Sequence, residues 1–311
     1  MPLSVAVVPF QVKQVIVMKK LFSLLAFFAL LAGKLHAELL PEAILAFPTE
    51  TTVLEYDSLS TLRALPNYQE LRKQYAAEGL QRAQKDLLLL GISEDQIAEV
   101  VMAAGPNGFF GLLAGSFRTT AASEAVNQGL TASVLEKQPV FCAKDGLCFL
   151  FPFREGGRVF FGTIVQLRVI CDVIQGRAPS LRSNAIVSDL IGRMEPHSAV
   201  FGVAPGSKIS LWAGDSIPKA VSSRLDLTKI YSNIESFGYS VTLDGNAQHV
   251  GLSLFCSSEE SATVIRTTLT AASGLERAAA AAAGAGSLPF NNMVVSSSGR
   301  LVAVKLDAPV R

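Results

Sequence analysis

Four turn signals, each set between two apolar runs, constrain this chain most. Gly105-Pro106-Asn107-Gly108 separates residues 97–103 from 109–117, and Lys144-Asp145-Gly146 separates 139–143 from 147–151. Asp244-Gly245-Asn246 separates 238–243 from 248–256, and residues 296–300 separate 293–295 from 301–306. Short apolar runs joined by turns rich in Gly, Asp and Asn are β-hairpins, so the sheet they form is antiparallel. Residues 58–90, 119–130 and 257–272 carry leucines and alanines at three- and four-residue spacings, the period of a helix with one apolar face. Thr119 or Thr120 can cap the second of these, and Ser257 or Ser258 the third. Glu259 and Glu260 stand in the third helix's first turn, where the helix dipole favours acids.

Residues 51–56 and 199–204 read as lone strands, 208–211 as a short one, and 215–225 as a short helix. The order β-α-ββ-α-ββ then occurs twice. The expected fold is α+β: antiparallel sheets with helices packed on one face, in two pseudo-repeated halves that share a single sheet. The expected divisions are residues 1–37, 38–157, 158–195 and 196–311. The third is a bridge with a strand at 159–164 and helices at 165–175 and 184–194, separated by a loop containing Pro179. The alanine run from Ala278 either prolongs the preceding helix, since Ala has the best helix propensity, or is a linker.

Residues 1–37 are read as a leader rather than as part of the fold. Lys19 and Lys20 precede an uninterrupted apolar stretch of about a dozen residues, and Ala37 suits the position before a cleavage site. Met18 makes a natural start. The apolar stretch is shorter than the roughly 20 residues that span a bilayer. An uncleaved inner-membrane anchor is the alternative. The first cysteine is Cys142, so no lipid-attachment cysteine follows the leader.

Without the leader 274 of the 311 residues remain, ample for a large core. The leader holds Lys13, Lys19, Lys20 and Lys34, which leaves 23 basic residues against 26 acidic ones. With no basic block, nucleic acid is not an expected partner. No later apolar run approaches a membrane span. Exported cysteines can be oxidised. A three-residue loop at 144–146 sets Cys142 opposite Cys148, within reach of a disulfide; a two-residue Asp-Gly turn would leave them diagonal, as two small buried thiols. Cys171 and Cys256 are expected to be buried and free.

Leu40-Pro41 followed by an acidic strand, the Phe160-Phe161-Gly162 step from strand to helix, and the helix start at residues 257–262 give a resemblance. The chain resembles uncharacterised exported envelope proteins of bacteria built from duplicated α+β halves. The resemblance implies the architecture over nearly the whole exported part and brings no activity, cofactor or site residue with it.

Motifs for chemistry are weak. Ser216-Ile217-Pro218-Lys219 with Tyr231-Ser232-Asn233 imitates a penicillin-binding signature, but the partner follows too closely and no Lys-Thr-Gly is present. The glycines at 105–111 precede a strand and lack the Lys-Ser/Thr of a phosphate loop. His197 and His249 have no ligand-spaced partners, so no metal or cofactor is expected. Glu55 and Asp57 share a strand face and suit acid–base work, but with no partner they read as a solvated strand end.

Nine phenylalanines fall between Phe109 and Phe161. Either they fill the core, or Phe109, Phe117, Phe149, Phe151, Phe153 and Trp212 line an apolar binding surface. The expected function is a non-catalytic binding or scaffolding protein of the cell envelope, periplasmic or secreted, with an envelope protein as partner. A carrier of an apolar ligand or lipid is the alternative, and an unrecognised hydrolase the third reading.

Overall fold

The computed structural model describes residues 39–64, 68, 78–117, 122–152, 157–193, 198–209, 231–244, 247–282 and 293–309. Residues 1–37, read above as a leader, Phe153, His197, Trp212, the Ser216–Lys219 motif and the helix expected at 215–225 lie outside them. The strands are β1 (Val53–Ser58), β2 (Ile97–Gly105), β3 (Gly108–Gly115), β4 (Thr131–Leu135), β5 (Gln138–Cys142), β6 (Cys148–Leu150) and β7 (Arg158–Gly162). They continue with β8 (Val200–Pro205), β9 (Ile234–Asp244), β10 (Ala247–Cys256), β11 (Val294–Ser298) and β12 (Leu301–Pro309). The helices are α1 (Leu39–Ala46), α2 (Leu59–Arg63), α3 (Glu78–Leu89), α4 (Ala122–Asn127), α5 (Ile164–Ile174), α6 (Ala185–Gly192) and α7 (Glu259–Ala282).

All twelve strands form one sheet in the order β11-β12-β10-β9-β8-β1-β2-β3-β7-β6-β5-β4, and every pairing is antiparallel. The fold is the α+β architecture expected, in a single sheet. The inner strands run outward from the β1–β8 junction as β1-β2-β3 on one side and β8-β9-β10 on the other. The repeated halves are not established by this order. The strand against β3 is β7, which comes from the expected bridge, whereas β12 lies against β10.

Helices lie on both faces at one end of the sheet. On one face α1, α5 and α6 cover Leu54, Tyr56, Val101, Leu112, Phe160 and Phe201. On the other, α2, α3 and α4 cover Val100, Leu113, Phe149, Val159 and Phe161. Adjacent Val100 and Val101 are both fully buried, the continuous apolar run of a strand covered twice. β10 instead alternates Val250, Leu252 and Leu254 with His249, Gly251 and Ser253. Here α7 packs on the apolar side through Ala262 and Ile265. The one-face arrangement therefore holds at the β10–β12 end.

Several elements differ from expectation. α1 precedes the first strand, with Pro41 in its first turn, where a missing N–H costs nothing. Arg158 on β7 ties to it through Glu42, Nε to Oε2, at 2.8 Å. β4 was not anticipated: its hairpin to β5 turns through Glu136 and Lys137, both at positive φ, residues that do not advertise such a turn. Residues Gly206–Lys208 form a 3-10 turn where a strand was expected from Lys208. The alanine run is helical as far as Ala282, and β11 extends to Ser298, so the last turn is only Gly299-Arg300. Among the described residues no helix is long and apolar enough to cross a membrane.

Candidate functional site

The centre of the sheet holds two acids. In β1, Glu55 lies between Met102 of β2 and Gly202 of β8, and Asp57 lies between Val100 and Val200. Alternation puts Val53, Glu55 and Asp57 on one face. The strand positions flanking them on that face are Val100, Met102 and Ala104 of β2 and Val200, Gly202 and Ala204 of β8. Beyond β8, Phe237, Tyr239 and Val241 of β9 continue the face. None of these residues is basic, and none is Ser, His or Cys.

Sequence reasoning placed Glu55 and Asp57 at a solvated strand end. The structure contradicts this for Asp57, which is only 7% exposed. Its Oδ1 is buried with no hydrogen-bond partner. Glu55, Met102, Tyr239 and Val53 are half-buried, so the face opens to solvent beside Glu55 while Asp57 sits deeper. The opening falls where the core under α2 and α3 meets the core under α7, and Tyr239 touches both.

Burial away from water pushes the Glu55 carboxyl up from its ordinary value. Burial raises Asp57 well above its own, and the neighbouring Glu55 charge adds to the rise. Tyr239 is raised too, by burial first and then by the charges of Glu55 and Asp57. Its ring lies over Gly202, whose missing side chain makes the room: a Cβ there would stand 2.6 Å from the phenol oxygen. Tyr56, on the opposite face of the same strand, donates its hydroxyl to Glu99 Oε1 at 2.8 Å and belongs to the other core. The signal for this site was the acidic pair itself; what was missing from the sequence was the pairing of β1 with β8, some 145 residues later.

The other candidates are structural. Cys142 and Cys148 form a disulfide between paired strands, with Cα atoms 4.0 Å apart. The turn has the three-residue form: Ala143 N–H donates to Leu147 O at 2.7 Å, and Gly146 takes φ +90°, which favours glycine. Cys171 and Cys256 are free and buried. Phe117, Phe149 and Phe151 are buried between sheet and helices, with Phe141 and Phe151 edge to face at 5.7 Å between centroids. Phe109 is 38% exposed and tilts against Phe161 at 5.5 Å. The turn at 105–108 is a tight hairpin between β2 and β3. His249 Nδ1 pairs with Asp307 Oδ1 at 2.7 Å on the exposed surface of β10 and β12. Asn233 holds the start of α7, accepting Ser257 N–H on its carbonyl at 2.9 Å. Ser258 Oγ caps that helix by accepting Ser261 N–H at 3.0 Å.

No family model matches the chain, and no curated protein matches it. A solved structure of TP0453, a Treponema envelope protein, shares its fold. Crystal form III aligns at TM-score 0.50 and 11% identity, over 86% of this chain and 94% of that one. Crystal form I aligns at TM-score 0.49 and 10% identity, over 86% and 93%. At such identities the likeness is one of fold.

Proposed function

We propose that this chain is an exported, non-catalytic protein of the cell envelope that binds a partner or acts as a scaffold there. The observation that carries the reading is the Cys142–Cys148 disulfide. Such bridges persist in oxidising compartments and are rare in a reducing cytosol. The leader at residues 1–37 supports the same route, and the fold shared with an envelope protein is consistent with the destination. The carboxyl pair at the sheet centre suits binding better than turnover, because no nucleophile or imidazole shares its face of the flanking strands.

The test is to isolate the protein from fractionated cells, sequence its N-terminus and map its thiols without reduction. A chain beginning after Ala37 in the envelope fraction, with Cys142 and Cys148 joined, is the expected result. A chain beginning at Met1 or Met18 in the cytosol, with both thiols free, would overturn it. A lipid retained in the intact mass of the purified protein would replace the scaffold by a carrier of apolar ligands.

A further inference from the structure

We propose that Glu55 and Asp57 form the floor of a binding site for a primary alkylammonium group. The inference deepens the binding role proposed above and rests on it.

A buried carboxylate is ordinarily paired or hydrogen-bonded, because leaving one without a donor forfeits its solvation with nothing in return. Asp57 breaks that rule: it is 7% exposed and its Oδ1 meets no donor. Glu55 stands two residues away on the same face, its Cα about 7 Å distant at the rise of a strand. Two acids of one sign thus share a confined space. The strand positions around them are apolar or phenolic, with no Lys, Arg or His among the described residues there. The nearest described cation in sequence, Arg63 of α2, donates instead to the carbonyls of Glu94 and Ile97, each at 2.7 Å.

The groups that line the site select the cation. Calcium takes six to eight oxygen ligands and magnesium a full octahedron. The strand carbonyls here are engaged in the ladders, and the described residues contain no group of three metal-ligating side chains. A divalent ion is therefore poorly served. An alkylammonium has three N–H donors, enough to address both carboxylates at once. Its alkyl part meets Val53 and Met102, which stay half-buried at the mouth. The Tyr239 ring, held over Gly202 on the far side of Glu55, offers an aromatic face of the kind that attracts such cations.

The test is calorimetric titration of the purified full chain with n-butylamine hydrochloride at neutral pH, against sodium chloride and calcium chloride at matched ionic strength. Saturable binding of butylamine is expected, weakened at least tenfold in Asp57→Asn and in Glu55→Gln, both checked for folding by thermal melts. Absence of saturable binding, or binding unchanged in both variants, would overturn the proposal. Calcium binding that Asp57→Asn abolishes would overturn the choice of ligand. Nα-acetyl-lysine methylamide and putrescine distinguish the source: tighter binding of the first marks a lysine side chain of a protein, and of the second a free amine, and either outcome supports the site. Failure here, with the disulfide intact in exported protein, removes the amine site and leaves the envelope role standing.

Discussion

Tyr239 lies over Gly202 in the neighbouring strand, in the one place where a side chain on β8 would close the space beside Glu55. Phe161 covers Gly111 in the same way between β7 and β3. In both pairs an aromatic ring takes the room that the glycine opposite it leaves. Gly202→Ala is expected to displace the Tyr239 ring and destabilise the protein by about 1–3 kcal/mol, the usual cost of overpacking. Urea unfolding measures the loss. In the double variant with Tyr239→Ala the alanine should cost much less, since residues in contact do not act additively.

Stability should fall as the pH rises above the ordinary carboxyl range. Burial raises Glu55 and Asp57 in the folded state, so between the usual value near 4 and the raised ones the native chain holds more protons than the unfolded chain. Unfolding then becomes easier with each step up in pH across that window. Tyr239 is the other titratable group on the facing strand positions, and its own rise takes it further from the window. Asp57→Asn should flatten the slope and be more stable than the parent above the window. Denaturant unfolding at a series of pH values, in an amine-free buffer, follows both.

Replacing Cys142 and Cys148 together by serine should cost about 2 kcal/mol, the chain-entropy gain for so short a loop. Cys171 and Cys256 should resist alkylation in the native protein near pH 8. Burial raises both thiols, Cys256 to about 11. Urea unfolding measures the first effect, and mass spectrometry after brief iodoacetamide treatment reads the second, with denatured protein as the positive control.

The aromatic region should divide by burial. Phe149 is fully buried, and Phe149→Ala should cost about 3–5 kcal/mol. Val134, on edge strand β4, is 73% exposed, and Val134→Thr should stay within about 0.5 kcal/mol of the parent. Thermal unfolding of the two variants side by side separates them.

The hairpins were legible because their turns carry Gly, Asp or Asn at positions that need them, as Gly108 and Gly146 do at positive φ. β4 was not, because Glu136 and Lys137 adopt that conformation without a sequence signal. The start of α7 was visible from its N-cap and its period as far as residue 272, whereas the alanines that prolong it to Ala282 have no apolar face to read, and α1 is only eight residues and follows a stretch read as a leader. Helices on both faces leave their mark in the paired burial of Val100 and Val101, a run that also fits a strand covered once. Glu55 and Asp57 were visible as an acidic pair on one face. Their burial comes from β2 and β8, and no local pattern tells a strand which distant segments will flank it.

The most direct test is a carbon-13 NMR titration of the Glu55 and Asp57 side-chain carboxyls in the full chain, in amine-free buffer. Both should titrate above the ordinary carboxylate range, Asp57 the further of the two, in linked steps that n-butylamine shifts downward. Two independent titrations near 4, unmoved by the amine, would contradict a coupled acid pair, Asp57 buried and Glu55 half-buried, with no basic partner at the centre of the sheet.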